Sequence, residues 1–126
     1  MKKYFILLML NLFIFGCNKS NNSEESNPVS MEGNYTGTFE RNGNTSNVTL
    51  QLLNSEFSGT SDIDGFPAIG NGNYQIATDT ISFENLAVWP ANIDGTLVLS
   101  GSWHYTFVNG TLTMTKEGDQ YVLIHQ

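Results

Sequence analysis

Few residues in this 126-residue chain have the chemistry of an acid, base, nucleophile or metal ligand: two histidines, one cysteine and twelve carboxylates. A histidine works as a general base only beside a positioned nucleophile or carboxylate. His104 falls between Ser102 and Thr106 on the polar parity of an alternating segment, and His125 has no identifiable partner near it in sequence, so both read as solvent-exposed. Asp62-Ile63-Asp64-Gly65 has the spacing that opens a calcium loop, but the further ligands and distal glutamate are missing, and a turn is the better reading. No Gly-rich phosphate loop follows a strand. Once Cys17 is accounted for, no thiol remains for nucleophilic or zinc chemistry. The sequence points away from an enzyme and names no metal or cofactor.

Cys17 closes the most informative segment. Lys2 and Lys3, the apolar run from Tyr4 to Phe15 and the small residue Gly16 have the order of a secretory signal, and the run is too short to remain as a membrane-spanning helix. Ile14-Phe15-Gly16-Cys17 resembles the lipobox of bacterial lipoproteins, in which a diacylglyceryl thioether forms on the cysteine, cleavage falls just before it, and the new amine is acylated. The resemblance implies a signal peptide at 1–16, lipidation (palmitate or a similar acyl chain) of Cys17, and a place in the bacterial cell envelope as an outer-membrane, surface-exposed lipoprotein. An exported chain with one cysteine cannot form an internal disulfide, and lipidation accounts for its solitude. Each buried methylene contributes about 0.8 kcal/mol, so several chains on one terminus hold far more firmly than one.

Residues 17–31 read as a tether, because Asn18 to Ser30 holds four asparagines, four serines, Glu24 and Glu25, with little that could offset its ordering entropy. Ser23-Glu24-Glu25 resembles the serine and acidic export signal of Bacteroidota-type lipoproteins and reads equally well as solvated linker. Beyond residue 16 the basic residues are Lys19, Arg41 and Lys116 against all twelve acids, a net charge of −9. That argues against a nucleic-acid partner and against electrostatic docking on anionic lipid.

Residues 32–126 have the length of one small domain and alternate with period two throughout, so the class is all-β. Three hairpins can be registered from parity. A turn at Asn54-Ser55 sets Leu52 opposite Phe57 and Leu50 opposite Gly59; one at Thr78-Asp79 sets Ile76 opposite Ile81 and Tyr74 opposite Phe83; Asn109-Gly110, a type I′ pair, sets Phe107 opposite Leu112 and Tyr105 opposite Met114. Thr96 to Phe107 alternates without a break, and a strand of that length would span about 40 Å. A bend or a three-residue loop at Ser100-Gly101-Ser102 is expected. With strands at Asn34–Arg41 and Gln120–His125 the count is seven or eight, which describes an antiparallel meander closed into a barrel, with a sandwich as the alternative. Gly33-Asn34-Tyr35 opening such a meander resembles the Gly-x-Trp start of lipocalin-like (calycin) barrels, with Tyr in place of Trp.

The parity turns Tyr35, Phe39, Phe57, Tyr74, Phe83, Trp103, Tyr105 and Phe107 inward, and eight aromatics of roughly 150–250 Å² each fill a small barrel almost completely. A packed core is therefore expected. Tyr35, Tyr74, Trp103 and Tyr105 are the residues that would line a ligand space were the barrel hollow. Two loops stand out among tight turns, 63–70 with Phe66-Pro67 and 87–94 with Trp89-Pro90. Their aromatic-proline pairs either cap the barrel or enter a partner's pocket, and the strand alternation places both on one end. Asp79-Thr80-Ile81 matches the short Asp-Ser/Thr-apolar sequon that resembles the O-glycosylation sites of exported Bacteroidota proteins, with Thr80 as the acceptor. The expected function is a non-enzymatic, lipid-anchored binding module that contacts a protein or glycan through these loops. One version, a protease-inhibitor-like role, resembles the potempins, small lipoprotein inhibitors of proteases. The alternative is a carrier of a small apolar ligand in the barrel interior. Replacement of Cys17 by Ser is expected to release the protein from membranes or to block its maturation, and the intact mass of the wild type is expected to carry acyl groups; a wild-type mass without them overturns the lipoprotein reading.

Overall fold

The structure, a computed structural model, describes residues 30–126. The expected signal peptide, Cys17 and the expected tether up to residue 29 lie outside the described residues. Eight strands follow one another: β1 (Gly33–Arg41), β2 (Asn44–Leu53), β3 (Glu56–Ser61), β4 (Gly70–Ile76), β5 (Thr80–Asn85), β6 (Gly101–Val108), β7 (Thr111–Lys116) and β8 (Asp119–His125). Each pairs antiparallel with the next, and β8 returns to β1 with Gly37 opposite Leu123, so the sheet closes on itself as a meander barrel. The sandwich alternative is set aside by that seam.

Local chemistry sets the registers. The three expected hairpins pair as parity requires, with Leu52 opposite Phe57, Tyr74 opposite Phe83 and Phe107 opposite Leu112. In the first and third hairpins both turn residues take positive φ, Asn54 and Ser55 at 54° and 65°, Asn109 and Gly110 at 52° and 78°. Such turns match the right-handed twist of the flanking strands. Asn42-Gly43 and Glu117-Gly118 make two further turns of this kind, joining β1 to β2 and β7 to β8.

The long alternating segment is interrupted. Gly101 opens β6 with φ +76°, which only glycine adopts without strain, and the residues before it leave the sheet. Gly95–Leu97 forms a 3₁₀ turn, Val98 bridges Ala68 in parallel, and Leu99 is fully buried under the end of the barrel. The apolar residues of 97–99 thus cover one end of the barrel rather than extend its wall.

Side chains fill the interior. Tyr35, Phe39, Phe57, Tyr74, Phe83 and Trp103 are buried as expected, while Tyr105 and Phe107 are half-buried and pack against that core. Met114, opposite Tyr105, and Tyr121 are fully buried, and Met31 joins the same core. Ring centroids stand 4.9 Å apart for Phe39 and Tyr121, 5.1 Å for Phe57 and Phe83, and 5.2 Å for Trp103 and Tyr121, all tilted or edge-on. Aromatic rings prefer such arrangements for the sign of their quadrupoles. Outward positions such as Thr36, Thr38, Thr49, Thr60 and Asn71 are exposed and polar, with the Thr49 and Thr60 hydroxyls 2.9 Å apart across the ladder. A barrel wall of this kind offers no apolar band to lipid.

Trp103→Ala is expected to destabilise the domain by about 3–5 kcal/mol, the usual penalty for truncating a buried large aromatic. His104→Ala, one residue away on the exposed parity, is expected to cost less than about 0.5 kcal/mol. Denaturant titration of the two variants compares them, and equal losses would contradict the inward placement of Trp103.

Candidate functional site

The odd-numbered strands all run toward one end of the barrel, so the loops 62–69 and 86–100 and the turns 42–43 and 117–118 share that end. Met31 enters at the opposite end. The two long loops, expected from strand alternation to share an end, do so and touch. Ala68 N donates to Leu97 O at 3.0 Å, and Leu99 N donates to Ala68 O at 2.9 Å.

Four polar side chains fix these loops. Asn85, the last residue of β5, donates through Nδ2 to Ile69 O (2.6 Å) and Leu99 O (3.0 Å), and its Oδ1 accepts from Ala87 N and Trp89 Nε1, each at 3.1 Å. One amide therefore uses both donors and both acceptor positions to join the two loops. Ser46 donates to Phe66 O at 2.5 Å, and the Ser61 hydroxyl lies 2.6 Å from Ile63 O and 2.9 Å from Pro67 O. Arg41, at the end of β1, makes a two-pronged pair with Asp119, at the start of β8, through Nε (2.7 Å) and Nη2 (2.6 Å). Its remaining donors reach Thr96 Oγ1 and Thr96 O, both at 3.0 Å, so this guanidinium staples the barrel seam to the second loop. The Asp119 hydrogen bonds hold the Arg41 charge in place more firmly than usual and raise its pKa. Asp94 caps the 3₁₀ turn by accepting from Thr96 N at 2.9 Å, and the hydrogen bonds from Thr96 lower its pKa below the ordinary carboxylate value.

The residues singled out in the loops occupy different depths. Phe66 is half-buried with its ring edge-on to Phe39 at 5.3 Å, and Pro67, joined to it by a cis peptide, is fully buried. Both pack into the plug that closes the barrel, with Pro67 withdrawn from solvent and Phe66 partly exposed. Trp89 is half-buried with its ring against Gly70, where an added Cβ would stand 2.7 Å from the indole; Gly70, at φ +67°, supplies both the space and the turn. Pro90 is exposed. The apolar surface that remains on these loops comes from Ile63, Leu86 and Val88, and Val88 is 97% exposed.

A cleft of about 440 Å³ opens beside this plug, with Arg41, Thr96, Ser100, Trp103, Lys116 and Asp119 among its walls. Lys116 Nζ donates to Ser100 O at 2.9 Å and stands 5.5 Å from the Trp103 ring centre. It is held by a carbonyl and a ring face.

Three of the tyrosine and tryptophan handles are bonded to the backbone. Tyr35 OH donates to Met31 O, Trp103 Nε1 to Ser100 O and Tyr105 OH to Ala77 O, at 2.5, 3.0 and 3.3 Å. Burial pushes the Tyr35 phenol up to about 12, with nearby Tyr74 adding to the effect, and burial raises Tyr74 and Tyr121 as well. Among the described residues no three His, Cys, Asp or Glu side chains gather, and both Asp62 oxygens accept from Asn47. Thr80 opens β5, half-buried, beside the 77–79 turn at the other end of the barrel. His125 Nε2 lies 2.9 Å from Glu32 O, with its ring edge-on to Tyr35.

No family model matches this sequence, and no curated protein is similar to it. A solved structure of an uncharacterised protein from Bacteroides eggerthii has a similar fold, with a TM-score of 0.52 at 14% identity over 77% of this chain and all of that one. The likeness concerns the barrel and carries no activity with it.

Asn85→Ala is expected to leave the carbonyls of Ile69 and Leu99 without this donor and to cost about 2–3 kcal/mol. Amide exchange is expected to rise in both loops at once, since one side chain serves both; acceleration confined to 86–99 would show that the loops are held independently.

Proposed function

We propose that this protein is a lipid-anchored envelope binding module that presents the loop end of its barrel to a protein or glycan on the far side from its anchor. The observation that carries the reading is the pairing of rigid support with exposed apolar tips: Asn85, Ser46, Ser61 and Arg41 fix the loops, while Leu86, Val88 and Ile63 stand in solvent on them. Apolar side chains on pre-organised loops bind at low ordering cost, and truncating such anchors typically removes about 2 kcal/mol or more. Support for the anchor comes from the lipobox-like Ile14-Phe15-Gly16-Cys17, and support for the orientation from the entry of Met31 at the opposite end. A protease-inhibitor-like role is one form this binding takes; the lipocalin-like likeness bears on the barrel only. The interior favours binding by the loops over transport of an apolar ligand, because its rings pack against one another and Tyr35 and Trp103 already donate to backbone carbonyls.

Leu86→Ser combined with Val88→Ser is expected to abolish crosslinking to the partner that wild-type protein captures in native membranes, with the thermal midpoint within a few degrees of wild type. A double variant that keeps its partner would overturn the loop-end reading. Native mass spectrometry that finds a retained lipid in the wild type would favour the carrier instead.

A further inference from the structure

Among the described residues seven large aliphatic side chains are exposed, and they divide between the two ends of the barrel. Three of them, Ile63, Leu86 and Val88, belong to the long loops. The other four mark the opposite rim: Leu53, Ile76 and Val108 are the last residues of β2, β4 and β6, and Ile124 is the last but one of β8. Every strand that runs toward the tether end therefore carries an exposed aliphatic at its last position or the one before. The wall between the ends is mostly threonine, serine and asparagine. A rim built this way on an otherwise polar barrel has a physical use only if something apolar meets it.

Where the rest of the chain attaches indicates what that is. Residues 1–29 lie outside the described residues and join the barrel at this same end. On the anchored reading, Cys17 lies only 13 residues before Ser30, a separation that no conformation can stretch beyond about 45 Å. The rim is then held within reach of the bilayer at all times, so a contact too weak to recruit a free protein is converted into an intramolecular one. Charge selects the kind of surface. Arg41 and Lys116, the only arginine and lysine among the described residues, both lie at the loop end among Glu40, Asp62, Asp64, Glu84, Asp94 and Glu117, and the tether end carries Glu32, Glu56 and Asp79 with no lysine or arginine to offset them. An anionic lipid surface would repel this rim, and a zwitterionic one would not.

We propose that the aliphatic rim of Leu53, Ile76, Val108 and Ile124 rests on a zwitterionic lipid surface, standing the barrel on the membrane with its loop end outward. The proposal rests on the anchored reading of the previous subsection. It adds a second, non-covalent contact and a fixed orientation, where a tether alone would leave the barrel free to tumble.

The test places a fluorophore, through an unnatural amino acid, at position 108, with positions 60 and 88 as mid-wall and loop-end references, in phosphatidylcholine vesicles with brominated acyl chains. The protein is held there by its own acyl groups or, where intact mass shows none, by coupling Cys17 to a maleimide lipid. A failed anchor and a failed rim are thus read separately. Quenching several-fold stronger at 108 than at 60 and 88, weakening as phosphatidylglycerol replaces phosphatidylcholine, is the expected result. Equal quenching at all three positions, or stronger quenching at 88, would overturn the proposal. So would self-association of the unanchored Cys17→Ser protein that shields position 108, which would make a second copy the occupant of the rim.

Discussion

The seam between β1 and β8 is the constraint on which the rest of this molecule depends. It pairs residues about ninety positions apart, Tyr35 with His125 and Gly37 with Leu123, and it leaves no strand edge open in the sheet. Gly37 is the point of closest approach, since a Cβ there would stand 1.9 Å from Val122 O. Arg41 and Asp119 lock the same seam at the loop end, with the ion pair 10–23% exposed and every oxygen of Asp119 in use. A two-pronged guanidinium–carboxylate pair resists shear as well as separation, because two parallel hydrogen bonds fix an orientation. The seam and the second loop are thereby one mechanical unit, joined at Thr96.

Closure also decides where function can reside. A closed barrel of eight short strands has little interior, and here aromatic rings occupy it, with Tyr35 and Tyr121 almost wholly withdrawn from water. The wall is polar and regular. What remains are the two ends, and the molecule treats them differently. One carries loops that are long, cross-braced by Asn85 and tipped with Leu86 and Val88; the other carries tight turns and an aliphatic rim beside Met31, where the described chain begins.

Much of the barrel was legible because its signals are local. Alternation with period two assigns faces, and a two-residue turn converts those faces into a register, so Leu52–Phe57, Tyr74–Phe83 and Phe107–Leu112 follow from short windows of sequence. The site was legible only in outline. Loop length and strand parity placed the two loops on one end, but the depth of each residue depends on contacts that no window contains: Arg41 meets Asp119 across 78 positions, and Ser46 holds Phe66 across 20. Phe66-Pro67 and Trp89-Pro90 look alike as dipeptides, yet the first plugs the core and the second stays near the surface. Asn85 carried no signal at all. A lone asparagine at the end of a strand reads as a turn residue, and its four hydrogen bonds exist only once Ile69 and Leu99 have been brought to it.

The break at Gly101 shows why parity alone misplaces such residues. Leu97 and Leu99 share the inward parity of Trp103, and a continuous strand would have set them in the wall. The left-handed φ at Gly101 instead turns the chain over the barrel mouth, where Leu99 is buried and its backbone N–H finds Ala68 O. Leu99 has the same destination in both descriptions, the apolar interior, but a different job. Leu99 covers the mouth from above, and its backbone bond to Ala68 aligns the second loop against the first. The packed core and the braced loop end are consequently products of the same glycine.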